Sequence, residues 1–128
     1  MPNGFRIGST FHFNDRIDDD HLYVVVSGLS APEVVILSIT TQRRFSDTSC
    51  LLQPSDHPFI SRTSCIAYLF AELIAVSELE SKLQHGDLTL RETCDSKMLE
   101  KIWDGAEKTR QMQGWIREVL VSQGIISE

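Results

Sequence analysis

The stretch from Leu22 to Thr40 has the sequence LYVVVSGLSAPEVVILSIT. It contains two runs rich in β-branched and aliphatic residues, Leu22–Val26 and Val34–Thr40, and such runs are typical of buried strands. The segment between them, Gly28–Pro32, has the turn residues of a hairpin connection. Because so short a connection joins neighbouring strands, we predict that the two strands pair antiparallel.

Shorter strands are predicted on both sides of this pair, and the pattern becomes helical after about residue 76. The Ser77-x-x-Glu80 sequence has the form of a capping box, and Gly86 is suited to end that helix. Asp95 or Ser96 is expected to cap a second, longer helix. The predicted strands are Thr10–Phe13, Cys50–Leu52, Ser64–Tyr68 and Glu72–Val76. The predicted helices lie at about 77–86, 96–111 and 113–123.

These elements predict one α+β domain over residues 1–128. In it a small antiparallel sheet or barrel, at about 8–76 and 88–90, carries a helical C-terminal part. The length of 128 residues suits a single hydrophobic core. A hydrophobic content of 41% with 23% charged residues is that of a globular protein, which excludes the disordered and coiled-coil classes.

The compartment is predicted from patterns that the sequence lacks. No apolar run approaches the ~20 residues of a membrane span, and Met1–Arg6 does not resemble the start of a secretory signal. The three cysteines, Cys50, Cys65 and Cys94, are an odd number, which favours reduced thiols over disulfides. We therefore expect a cytoplasmic protein with no membrane partner.

The charge balance limits the kinds of partner. The formal net charge is −6, from 18 acidic and 12 basic side chains. A chain of this charge lacks the overall basic surface that supports non-specific nucleic-acid binding. Any nucleic-acid role must therefore use a local basic patch.

Metal and nucleotide motifs are not found. Cys50, His57 and Cys65 are separated by six and seven residues, with His21 and Cys94 as further donors, but paired ligands at zinc-site spacing are missing. The 7 glycines are scattered and form no phosphate-binding loop. Neither a Gly-x-Ser-x-Gly nor a His-Glu-x-x-His motif is present. We therefore expect no metal site and no cofactor.

A group of polar residues at the strand ends offers different chemistry. The antiparallel pairing places His21, at the start of one strand, near Thr40 and Thr41 at the end of the next, which Gln42-Arg43-Arg44 follow directly. Histidine transfers protons near neutral pH, arginine binds phosphate, and a threonine hydroxyl can donate to a phosphoryl oxygen. Metal-free RNA cleavage needs this combination. His57 could supply a second acid or base if its loop folds over the site.

We predict His21, Thr40, Thr41, Arg43 and His57 as catalytic candidates. The predicted RNA-binding residues are Gln42, Arg43, Arg44 and Arg62. The alternative is purely structural, because a histidine at a strand start is more often solvated or capping and adjacent arginines are usually a solvated loop.

Several short motifs carry a resemblance to a known family. Ser38-Ile39-Thr40-Thr41 matches a strand that ends in Pro-Ile-Thr followed by Ser or Thr, and His21–Ser27 lies where that family has Arg, Pro-Ala-Val-Val and Ser. On these residues the chain resembles the PemK/MazF family of toxin endoribonucleases, over residues 8 to about 110. The further matching segments are Gly8–Phe13, Asp56–Ile60 with Ser64 and Tyr68, and the helical tail Leu99–Thr109.

The resemblance implies an SH3-like barrel, usually a homodimer, that cleaves single-stranded RNA without a metal and is neutralised by an antitoxin protein. The family's catalytic Thr or Ser falls on Thr40 or Thr41, and its catalytic Arg falls on His21. Either His21 takes the acid–base role, with Arg43 or Arg44 providing the positive charge, or this branch has lost the nuclease activity. The second case would leave a PemK-like barrel that binds a protein or another ligand. An unrelated α+β interaction domain is a third alternative.

Overall fold

The computed structural model describes residues 4–28 and 30–127, so Leu29 of the predicted hairpin connection and both ends of the predicted 1–128 domain lie outside the described residues. The strands are β1 Thr10–Phe13, β2 Leu22–Val25, β3 Glu33–Thr41, β4 Leu51–Leu52, β5 Ser64–Ile66, β6 Glu72–Ala75 and β7 Leu88–Arg91. The helices are α1 Val76–Gln84, α2 Ser96–Lys108 and α3 Gly114–Ser122, with 3-10 turns at Pro54–Asp56 and Tyr68–Phe70.

The long strand β3 is the centre of an antiparallel sheet with the order β4-β5-β3-β2-β1-β7. Along one edge β3 pairs with β2, with Ile39 opposite Leu22. Along the other edge its C-terminal part pairs with β5 and its N-terminal part with β6. The predicted antiparallel pairing of the two apolar runs is therefore confirmed.

The α+β class is confirmed, but the SH3-like barrel is not. Within the described residues, β4 and β7 are the two ends of the strand path and do not pair with each other. The sheet is therefore open in its hydrogen bonding rather than closed into a barrel.

Both faces of the central strands are buried, which explains why their sequences are continuously apolar. Side chains alternate across a strand, so Leu22 and Val24 face one core cluster, which includes residues of α2 and α3. Tyr23 and Val25 face a second cluster, which includes Leu79 of α1. The first cluster extends to the strand end that carries the candidate site, because Ile39 and Ile60 belong to it.

The helix ends differ in part from the prediction. The Ser77-Glu80 capping box is wrong: α1 begins at Val76, directly after β6, and its N-cap residue, Ala75, makes no side-chain cap. Gly86, with a φ of 77°, ends this helical segment as expected. The carboxylate of Asp95 accepts a 2.8 Å hydrogen bond from the backbone N–H of Met98, which confirms the second cap. Among the described residues, no helix has the length and apolarity to span a membrane.

Candidate functional site

An open cleft of about 360 Å³ lies at the strand end where β2 begins and β3 ends. Three chain segments form its walls, and they are distant from one another in the sequence. The lining residues are Asp20, His21 and Leu22 from the first segment, Ile39, Thr40, Thr41 and Arg43 from the second, and Phe59, Ile60, Ser61, Arg62 and Ser64 from the third.

Five of the predicted site residues line this cleft: His21, Thr40, Thr41, Arg43 and Arg62. The strand register explains why they meet. Leu22 pairs with Ile39, which brings the neighbouring His21 to the end of β3, and the pairing of β3 with β5 brings the segment that precedes Ser64 to the same place. Gln42 and Arg44 are exposed and are not among the lining residues.

His57 does not reach the cleft. It is buried, with 3% of its surface exposed. The backbone N–H of Phe59 donates to its Nδ1 at 3.0 Å, so the ring proton is on Nε2, which lies 2.6 Å from the carbonyl oxygen of Glu92. The Thr10 hydroxyl donates to the same carbonyl at 2.6 Å. His57 therefore holds the 57–60 segment against the body of the protein and has a structural role in this arrangement.

The backbone of His21 is fixed on both sides while its imidazole is exposed. Its N–H donates to Asp19 Oδ1 at 3.1 Å, and its carbonyl oxygen accepts a hydrogen bond from His12 Nδ1 at 3.0 Å. The Tyr23 hydroxyl in turn donates to Asp19 Oδ2 at 2.6 Å. The exposed His21 ring can therefore contact a ligand, while hydrogen bonds hold the His21 backbone in place.

A network of polar side chains continues from Asp19 and Tyr23 to Arg16 and Glu72. Arg16 makes a two-pronged contact with Glu72, at 2.8 and 2.9 Å, and its guanidinium lies 3.7 Å from the centre of the Phe13 ring. The hydrogen bonds to Glu72 raise the pKa of Arg16. Burial, together with the bond to Asp19, raises the pKa of Tyr23 to about 12. Arg16 therefore stays charged and Tyr23 stays neutral throughout the neutral pH range.

A second depression, of about 380 Å³, adjoins the first and shares His21 and Thr40 with it. Its wall includes Phe70, whose side chain is 67% exposed. His21 and Thr40 consequently stand between two hollows, each with an exposed aromatic ring, Phe59 in the first and Phe70 in the second. The sequence reasoning did not predict either phenylalanine as a site residue. The only available signal was the position of Phe59 directly after the His57-Pro58 loop.

The described part of the chain does not bring together a set of side chains that could bind a metal ion. Residues 4–28 and 30–127 contain no group of three or more His, Cys, Asp or Glu side chains that could hold a metal ion. All three cysteines are buried as free thiols, and burial raises the pKa of Cys50 and of Cys94 to about 11.

No protein-family model matches the chain, and no curated protein sequence matches it significantly.

Proposed function

We propose that this protein is a metal-independent endoribonuclease of the toxin type, which cleaves single-stranded RNA in the cleft at the end of β2 and β3. The observation that carries the proposal is the convergence of His21, Thr40, Arg43 and Arg62, from three separate segments, on one open cleft of about 360 Å³. A proton-transfer group, a hydroxyl donor and two cations are among the groups that assist metal-free phosphodiester transfer.

In the proposed reaction the 2′-oxygen of the substrate attacks the adjacent phosphorus, and the bond from phosphorus to the 5′-oxygen breaks. The His21 imidazole moves one of the two protons, taking it from the 2′-hydroxyl as a base or giving it to the 5′-oxygen as an acid. Water in the open cleft exchanges the other proton. Arg43 and Arg62 balance the charge that grows on the phosphoryl oxygens, and Thr40 or Thr41 donates a hydrogen bond to one of them. The products are a 2′,3′-cyclic phosphate and a 5′-hydroxyl.

Substrate binding in this proposal depends on a local positive patch and an exposed aromatic ring, since the net charge of the whole chain is −6. Arg43 and Arg62 are exposed at the cleft and provide a local positive patch. The exposed ring of Phe70 offers a base a surface for stacking, which is worth about 1–3 kcal/mol per base in single-strand binders. We expect binding to weaken steeply with salt, because phosphate contacts release counterions.

Four further properties of the protein are proposed from the family resemblance alone. They are a relation to SH3-like barrels, a homodimer, inhibition by an antitoxin protein and a cytoplasmic location.

The test is incubation of the purified protein with a long single-stranded RNA in EDTA, followed by mapping of the cut ends. We expect cuts that leave 2′,3′-cyclic phosphates, with a loss of about 10²-fold or more in His21→Ala and in Arg43→Ala. Arg110→Ala is the matched control, because Arg110 is exposed between α2 and α3 and does not line the cleft. Melting temperatures of all variants show whether folding is intact.

Absence of cutting by folded, antitoxin-free protein would overturn the nuclease proposal. It would favour the second candidate, a PemK-like module that binds a ligand in the same cleft without catalysis. One observation favours this second candidate: Asp20 lines the cleft next to His21, so the charge of the cleft lining is not uniformly positive. Binding of a 2′-O-methyl oligonucleotide, measured by fluorescence anisotropy, would then separate an RNA-binding module from a protein-binding one.

A further inference from the structure

His12 on β1 is a buried histidine with an unused ring nitrogen. It is 8% exposed. Its Nδ1 lies 3.0 Å from the carbonyl oxygen of His21, which can only accept, so the Nδ1 carries the proton. The Nε2 of the neutral ring is therefore an acceptor, and it has no hydrogen-bond partner among the described residues. Burial of an acceptor without a partner is energetically unfavourable and uncommon in folded proteins, so this nitrogen calls for an explanation.

The side chain of Phe59 covers this histidine on the side of the cleft. The two rings pack edge to face, with their centroids 4.5 Å apart. Phe59 lines the cleft and is 47% exposed, and the Arg91 guanidinium lies 5.8 Å from its ring. The backbone of Phe59 is anchored on His57. Rotation of one half-exposed side chain, with no movement of the anchored backbone, would open His12 to the cleft.

The charged groups around His12 come from two elements. Arg91 on β7 opposes a positive charge on the imidazole, and Asp19 and Asp20 in the β1–β2 connection favour one. His21 lies on the same side, through its backbone carbonyl. Burial is the largest influence and lowers the pKa of His12 below 6.5, so the ring is neutral at pH 7. A neutral ring with a free Nε2 is the form that can accept a proton.

We propose that His12 is the second proton-transfer group of the cleft, covered by Phe59 in the free protein and uncovered when an RNA base displaces the phenyl ring. This rests on the proposed nuclease function and completes it. His12 Nε2 accepts the proton of the 2′-hydroxyl, the 2′-oxygen forms its bond to phosphorus, and protonated His21 gives its proton to the leaving 5′-oxygen. The hydrogen bond from His12 to the His21 carbonyl fixes the spacing of the two residues.

The first test removes Nε2 while it keeps the contact to His21. In His12→Asn, the amide can still donate to the His21 carbonyl, but no base remains at the position of Nε2. We expect kcat on a single-stranded RNA to fall by about 10²–10⁴-fold with little change in KM, and the acidic limb of the kcat–pH profile to disappear. His12→Gln serves as the second variant if the first does not fold, since an amide near the Nε2 position is also not basic.

The second test measures how well the Phe59 side chain shields His12, and it does not depend on cleavage of RNA. Reactivity of His12 towards diethylpyrocarbonate, located by mass spectrometry, should be low in the wild type. It should rise severalfold in Phe59→Ala and in wild-type protein mixed with a 2′-O-methyl oligonucleotide. The diethylpyrocarbonate concentration is kept below the level at which the reagent unfolds the protein. Phe45→Ala is the matched control, because Phe45 is 87% exposed and lines neither hollow.

The outcomes separate the two proposals. Wild-type cleavage that persists unchanged in a folded His12 variant overturns the role of His12 and leaves the nuclease function intact. A wild-type protein that does not cleave overturns both. Equal reactivity of His12 in Phe59→Ala and in the wild type overturns the cover by Phe59.

Discussion

The Tyr68 hydroxyl donates a 2.7 Å hydrogen bond to the backbone carbonyl of Ile102 in α2. Tyr68 is fully buried in the 3-10 turn between β5 and β6, so this bond joins the sheet to the helix that covers it. The approach is close because residue 105, one turn further along α2, is a glycine. A Cβ on Gly105 would lie 2.3 Å from the Tyr68 oxygen and 2.7 Å from Cys50 Cβ.

Gly105→Ala should therefore destabilise the protein, although alanine is normally the better helix residue by about 1 kcal/mol. We expect a loss of about 2 kcal/mol in the free energy of unfolding, from the forced separation of α2 and the Tyr68 turn. Urea denaturation measures it. Gly114→Ala is the control, because a Cβ there meets nothing within 4 Å and should be neutral or slightly stabilising. Equal stability of the two variants would contradict the close packing.

Removal of the His57 side chain should destabilise the protein, whereas removal of the His21 side chain should have almost no effect on stability. His57→Ala leaves the N–H of Phe59 without its partner, while the carbonyl of Glu92 keeps the hydrogen bond from the Thr10 hydroxyl, so we expect a loss of about 1–3 kcal/mol in unfolding free energy. His21→Ala removes an exposed ring and should change stability by less than about 0.5 kcal/mol. Thermal unfolding of both variants decides. A stable His57→Ala protein would mean that the 57–60 segment is held by other contacts.

The sequence predicted the strand pair and much of the candidate cleft for the same physical reason. Two apolar runs joined by a short connection pair locally, and antiparallel pairing alone brings His21 to the end of β3. Arg62 was also predicted, but its arrival at the same cleft depends on β5 lying along the opposite edge of β3. The predicted helix cap at Ser77 failed because β6 continues directly into α1 and leaves no separate capping residue.

Long-range contacts account for what the sequence could not predict. The position of His57 depends on Thr10, 47 residues earlier, and on Glu92, 35 residues later. The packing of Phe59 on His12 likewise joins two distant segments. Neither contact leaves a pattern in the local sequence. His57, in the loop between Pro54 and Pro58, was therefore predicted for the site only on condition that its loop folds over it, and the folded chain buries it.

The cysteines should be unreactive in the folded protein. All three are buried, and desolvation raises the pKa of Cys65 and brings those of Cys50 and Cys94 to about 11, so the thiolate fraction at pH 8 is small. We expect Ellman's reagent to react slowly with native protein and with three thiols per chain after unfolding in urea. Fast reaction of one thiol in the native state would identify a cysteine that is more accessible than the fold implies.

Stability should decrease as the pH falls below about 6.5, because of His12. Its pKa is lowered in the folded protein, mainly by burial, from a value of 6.5 when exposed. Between the unfolded and the folded pKa the unfolded chain binds more protons, so the free energy of unfolding is full above about pH 6.5 and declines towards the lower folded pKa. Asp47, whose pKa is also lowered, acts in a separate window below its usual 3.8.

His12→Asn separates this contribution from that of the other histidines. The variant has no imidazole at position 12, so its unfolding free energy should fall less steeply than that of the wild type as the pH decreases below about 6.5. His85→Asn is the matched substitution control, because His85 is exposed at the end of α1. Urea denaturation at several pH values measures both. Equal slopes in the wild type and in His12→Asn would mean that His12 is charged or solvated in the folded state, contrary to its burial behind Phe59.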